Sequence, residues 1–552
     1  MSKLAAGLLQ SWCDGTLSAS ELQRHMESEV DDQRAMRQRA HPMVERLRGI
    51  GPDQNAQRGL RELLGGLGLL RMQTTLEVVD NVDTMVLPST VIRLLHTHYP
   101  RDFKVLLGAD PDKLRVFWTS FLGRPRSAAW AQRHAALRNT TAADLVCTVP
   151  CVVHTDAGPC TKLKSANTLS WSSLLGSGGE KNSKFLSCSC VKAETHGDRP
   201  SWERLLGDFA ELTTGLVGGE EVARDRRRLW RFVLLAAKAD AEVRCNEWGL
   251  PHFGAEENCS DCLCSTNADA RPFTDLQVGA AWRPTEAMSF EGWFARIRRP
   301  LHPLLESDVV CDRWSIFCEL MHLTDCNGVS SIVYGGILGL LLEERRLGPT
   351  VADRMACVNE FMSRWYSEHT GVHKLPKLRK KNLTSSGGWW ELSGPAIKAA
   401  PMRAAAPLFA AVANEFLVRE LPRHQQARRL AELLEAFYTV VYGAPMFPSD
   451  ADVERTRTIV NEFGQIMMLL REDSRARNKL YFKISPKVHG MMHVPMYMGV
   501  LNPRWLQAYL EEGLVGSVTK IWQKAMRGRY DREIQSNILL RRYVGLLLRL
   551  ES

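Results

Sequence analysis

Val152-Val153-His154-Thr155-Asp156-Ala157-Gly158-Pro159 carries a β-branched run straight into an aspartate, and Gly-Pro then closes it. β-Branched residues suit a pleated, half-buried surface and Gly-Pro cannot extend a ladder, so the stretch predicts a strand with a defined end. Two more strand-like runs follow at 169–175 and 185–191, parted by Gly176-Ser177-Gly178-Gly179 as a hairpin connection would be. The expectation is a three-strand meander with Asp156 on its first strand. A carboxylate on a rigid strand is held in the fixed geometry that metal-dependent chemistry requires; the plain alternative is an aspartate capping a turn.

Downstream, 202–216 has the pattern of an amphipathic helix. The run Leu229-Trp230-Arg231-Phe232-Val233-Leu234-Leu235-Ala236-Ala237-Lys238-Ala239-Asp240 reads as a buried strand or a buried helix and ends in a second aspartate. Three strands, a helix and an apolar run with an acid form the order of an RNase H-like core, which has acidic residues on its first and fourth strands.

The chain has 552 residues, 45% hydrophobic and 24% charged, which allows a sizeable core of ordinary globular composition. A net charge of +9 permits a polyanionic partner without demanding one. Residues 1–15 lack a signal-peptide pattern, and the apolar run 329–342 is broken by Ser, Tyr and Gly and too short to span a bilayer. An intracellular, non-membrane protein is therefore expected, with its fourteen cysteines as reduced thiols or metal ligands.

Helical patterns precede the meander, with breaks at Gly49-Ile50-Gly51-Pro52 and at Pro88; Arg124, Arg126, Arg133 and Arg138 read as a phosphate path or a solvated face. Beyond Asp240, Cys259 and Cys262 have the C-x-x-C spacing that lets two thiolates reach one zinc; Cys264, His252 and the nearby Cys245 are further candidates. Free buried thiols are the competing reading. Glu319 and His322 share a helix face if their segment is helical, fit to position water, a metal or a DNA end, or merely to bury a bonded histidine. Lys374, Lys377, Arg379, Lys380 and Lys381 form a basic loop, a phosphate contact or import signal against a solvated loop. A late cluster holds Lys487, His489 and His493, after which Pro503 opens a helix expected to project Glu511 or Glu512.

Together these pieces resemble eukaryotic DDE/D transposases of the RNase H-like type, the CACTA and KDZ groups included. The likeness rests on His154-x-Asp156-x-Gly158, Asp240 with Asn246 and Leu250-Pro251-His252, the Cys259/Cys262 pair, Glu319-x-x-His322 with Asp325-x-x-Gly328, Pro486-Lys487-x-His489-x-x-x-His493, and Asn502-Pro503 leading to Glu511-Glu512-Gly513, over about residues 145–545. It implies an α/β fold: an RNase H-like core with a large, mainly helical insertion and a helical N-terminal region. The expected division is 1–140 for that region, 141–250 for the first part of the core, 251–480 for the Cys-containing insertion and 481–552 for the rest of the core. By position the resemblance makes Asp156, Asp240 and Glu512, with Glu511 its rival, ligands of two Mg²⁺ or Mn²⁺ ions. It likens the Cys pair and a downstream histidine to a zinc knuckle, and implies cleavage and transfer of DNA by a nuclear, homo-oligomeric protein. The chain departs from the family at Glu319, where an Asp is frequent, and at Ala239, where an acid or glycine precedes the second Asp. Those departures keep open an inactive, transposon-derived DNA-binding or scaffold protein; an RNase H-like nuclease acting on other nucleic acids is a third reading.

Overall fold

The computed structural model of the chain describes residues 3–35, 77–79, 83–160, 164–191, 199–267, 270–310, 312–316, 319–383, 387–525 and 532–550. The fold is mixed α/β, mostly helical, around one four-stranded mixed sheet: β1 (Thr148–Pro159), β2 (Ser165–Ser173), β3 (Phe185–Val191) and β4 (Arg231–Lys238). The order is β4-β1-β2-β3, with β4 parallel to β1 and the other pairs antiparallel. The expected meander is present, though its second strand starts earlier than the apolar pattern marks, at Ser165. The ambiguous run before Asp240 is a strand, in register from Arg231 opposite Thr148 to Lys238 opposite His154. A parallel neighbour needs a crossover, and the Arg199–Leu212 helix lies within it.

The sheet has one apolar and one polar face. Val153 pairs with Trp171 and Trp171 with Phe185, and Trp171 meets Phe209 of the Arg199–Leu212 helix edge-on at 5.9 Å. One residue out of phase, His154 pairs with Ser170 and Asp156 with Thr168, and Thr168 with Ser189. Because side chains alternate along a strand, His154, Asp156 and Gly158 face the same way. The Tyr509–Ala525 helix covers that face; its Trp522 donates to Ser189 Oγ at 2.8 Å.

One buried apolar cluster extends from Met85 to Leu547, and a second joins Leu9, Trp12, Leu22 and Met26 to Leu540 and Val544 near the C-terminus. The Val329–Glu343 helix is buried almost throughout, a core helix. The expected break at Pro88 is instead a helix start: Pro88 opens the Pro88–His98 helix, where a missing N–H costs no hydrogen bond. The N-terminal region is not purely helical, for Glu77–Val79 pairs with Asp83–Met85. The break at 49–52 lies outside the described residues. In the basic loop the lysines are exposed while Leu375, Leu378 and Leu383 anchor it.

Gly158 is where helix and sheet come closest: a Cβ there would collide with Thr519 Oγ1 and lie 3.1 Å from Val515 Cγ1. Gly158→Ala should therefore lower the unfolding free energy by about 1–3 kcal/mol, the usual cost of overpacking. Urea denaturation checks this; an unchanged midpoint would show that the helix yields freely.

Candidate functional site

The sheet register brings the first two acids together. Asp156 lies near the end of β1, and Asp240 follows the end of β4, the parallel neighbour in which Lys238 already stands opposite His154. Asp240 caps the Ala241–Asn246 helix by accepting from Val243 N at 2.8 Å, and its charge acts on Asp156. Glu512 comes from the first turn of the Tyr509–Ala525 helix, which begins after a separate short turn at Pro503–Leu506 rather than at Pro503. Ligand atoms of Asp156, His322 and Glu512 all lie within 4.8 Å of one another. Burial, then the facing Glu512 carboxylate, then Asp240 push the Asp156 carboxyl up to about 8. Burial works against ionising Glu512 too, but His322 and a hydrogen bond with Asp156 outweigh it and hold Glu512 down at about 2.

Glu511 has another task. It is 1% exposed and takes Lys184 Nζ at 2.7 Å and Lys238 Nζ on the same oxygen. Burial alone would raise its carboxyl; the two lysines and His154 reverse the sign and hold it well below the usual range. With both cations spent on it, Glu511 ties the helix to the sheet, and Glu512 is the acid that reaches Asp156. His154 is buried beside this cluster, and burial lowers its imidazole to about 4.

Glu319 is a bracket. Its carboxylate accepts from Met321 N (2.8 Å), His322 N (2.9 Å), His322 Nδ1 (2.8 Å) and Ala508 N (2.8 Å). It caps the Leu320–Thr324 helix, orients His322 so that Nε2 stands 3.3 Å from Glu512, and grips the start of the glutamate helix. Buried Asp325 adds a second grip, accepting from the hydroxyls of Tyr438 and Tyr509.

A second cluster is buried farther along. Cys259 Sγ lies 3.4 Å from His493 Nε2, Cys262 Sγ 3.2 Å from His489 Nε2, and the two Nε2 atoms are 3.2 Å apart. All four donors fall within 4.8 Å of one another, a buried Cys₂His₂ set that could hold a metal ion. His489 Nδ1 meets the Phe273 carbonyl at 3.0 Å and His493 Nδ1 meets Glu286 at 2.6 Å, contacts that aim each Nε2 at the thiols. Hydrogen bonding with the neighbouring Cys262 thiol, above all, holds the Cys259 thiol well below its ordinary value. His493 is pushed up to about 10: burial opposes this, and the Cys259 charge and Glu286 prevail.

The ligand set differs from the expected one. Cys264 is buried nearby but turns its thiol to Asn258 Oδ1 at 3.2 Å, and His252 lies apart, stacked on Phe253 and accepting from Gly254 N. The partners of the C-x-x-C pair come from about 230 residues downstream, and only folding joins them. Lys487 donates to the Cys326 and Asn327 carbonyls, tying the histidine helix to the loop after His322. Sequence reasoning missed Lys184, Lys238 and Glu286; the one available signal was Lys238, a lone lysine closing an apolar run.

No family model matches the chain, and no curated protein does.

Cys259→Ser and His493→Ala should each abolish uptake of one equivalent of a soft divalent ion, read by metal analysis after addition of Zn²⁺ to the purified protein, whereas Cys264→Ala and His252→Ala should keep it. The reverse pattern would reassign the ligands. A raised acid stabilises the fold below its unfolded pKa and loses that contribution as pH rises through the folded value. Free of added divalent cation, the protein should thus lose stability between about pH 4 and 8 through Asp156. Asp156→Asn should flatten that decline; identical pH–melting profiles would remove Asp156 as its source.

Proposed function

We propose that the chain is an RNase H-like DNA transposase, or a host protein derived from one, that cleaves and transfers DNA strands by metal-dependent phosphodiester chemistry. The observation that carries this reading is the meeting of Asp156, Glu512 and His322, with the charge of Asp240 felt at Asp156, on a sheet whose β4 runs parallel to β1. These acids come from strand, strand end and late helix, the arrangement needed to surround ions that no single element could enclose. The sheet order and the crossover helix also support an RNase H-like core.

The donor set fits hard divalent cations, which prefer carboxylate oxygens and keep part of their water. Asp156, Asp240 and Glu512 would hold two Mg²⁺ or Mn²⁺ ions, which supply activation of water and stabilisation of charge on the leaving oxygen. His322, held by Glu319 and raised well above its ordinary value, offers a positive Nε2–H beside Glu512 that can hold a phosphate oxygen. Glu511, Lys184 and Lys238 keep the glutamate helix in place and touch no substrate. DNA, a second copy of the chain and a nuclear location complete the proposal.

An inactive DNA-binding or scaffold protein is the second reading. It is favoured by the contacts that neutralise the site internally, since His322 already faces Glu512 and Asp240 is spent on a helix cap. Nicking of candidate DNA ends with Mg²⁺ or Mn²⁺ decides between them. Wild type should cut, and Asp156→Asn and Glu512→Gln should lose roughly 10²–10³-fold, the scale for removing a group that stabilises developing charge. Equal rates in all three would end the catalytic assignment, and DNA binding without any cation-dependent cutting would establish the scaffold.

A further inference from the structure

Arg126, Arg283, Arg313 and Arg457 line one open cavity of about 650 Å³, where Glu286 is the one carboxylate among the described lining residues. Three of these guanidiniums are fixed by backbone carbonyls. Arg126 donates to Met496 O at 3.2 Å, Arg283 to Gln277 O at 2.8 Å, and Arg313 to Asp261 O at 2.7 Å and to Glu286 O. Carbonyls orient a guanidinium without cancelling its charge. Glu286 is engaged by His493 at 2.6 Å, so its charge is shared with the Cys₂His₂ cluster. Glu286 also acts on Arg283, and Asp275 does so less strongly. Arg457, at the exposed end, pairs with Glu454 on its own helix, an exposed pair that water and salt screen.

Positive charge thus exceeds negative in a cavity where three of the four arginines are pre-oriented, and guanidinium forks match phosphate oxygens. Met288, Val453 and Pro495 add an apolar wall suited to sugar faces. We infer that this cavity seats the phosphates of a DNA strand, as a site separate from the acids. The inference rests on the DNA reading above and deepens it: the arginine cavity would fix where the strand runs past the Cys₂His₂ cluster.

The test is the salt dependence of binding to a labelled duplex of arbitrary sequence, read by fluorescence anisotropy over a range of KCl concentrations without divalent cation. Each lost phosphate contact should lower the slope of log K against log[salt] by ~0.9. Arg457→Gln should therefore reduce it by ~0.9 and Arg283→Gln with Arg457→Gln by ~1.8. Arg457 is exposed, so its variant should fold, and circular dichroism matching wild type verifies both proteins. Duplex binding with an unaltered slope in both variants overturns this seat alone, whereas no duplex binding by wild type overturns the DNA reading itself. Calorimetry with inorganic tripolyphosphate supplies the other arm. Loss of tripolyphosphate binding in the variants with the DNA slope intact would assign the cavity to a free polyphosphate and overturn the strand.

Discussion

A single buried carboxylate sets the geometry of the acid site. Glu511 is almost wholly removed from water and would be costly to bury ionised without partners; Lys184 and Lys238 supply them from the sheet. Lys238 lies on β4 and Lys184 just before β3, so this ion triad spans the sheet and fixes the rotation of the glutamate helix over it. In an α-helix consecutive residues point about 100° apart. Once Glu511 is locked onto the sheet, Glu512 must face sideways, toward Asp156 and His322. This sheet face is polar in register: Ser170 stands opposite His154 and Thr168 opposite Asp156.

The start of the same helix is gripped again from the 319–325 segment. Glu319 takes Ala508 N and Asp325 takes the Tyr509 hydroxyl, two buried acids on one short segment. Between the Cys₂His₂ histidines and the glutamates the chain is pinned again at Asn502, whose side chain donates to the carbonyls of Val441 and Ala444. The 319–325 segment and the sheet are thus joined by short polar links close to the acids, and the buried cluster at 489–493 precedes this series in the chain.

Much of the sheet was legible because its strands carry their own punctuation: a β-branched run, Gly-Pro, a glycine-rich turn. The first two acids were legible for the same reason, each lying where a strand gives out. The state of 229–240 was not, since a strand buried on both faces loses its alternation and looks like a buried helix. The choice between Glu511 and Glu512 was closed to sequence as well, because it depends on two lysines more than 270 residues upstream. The partners of Cys259 and Cys262 were hidden for a like reason: local spacing can nominate Cys264 or His252, but only tertiary contact can nominate His489 and His493.

His322 bears on which ions suit the acids. Its Nδ1 is committed to Glu319, and with two carboxylates around the ring it holds its proton well above the ordinary value. A protonated imidazole has no lone pair to give a metal. While it keeps that proton, the donors left are carboxylate oxygens, and an all-oxygen set favours Mg²⁺, Mn²⁺ or Ca²⁺ over the softer ions that imidazole and thiolate select. Those softer donors are gathered instead at Cys259, Cys262, His489 and His493. Carboxylates and thiol-imidazole donors are thereby gathered in two separate places of the fold.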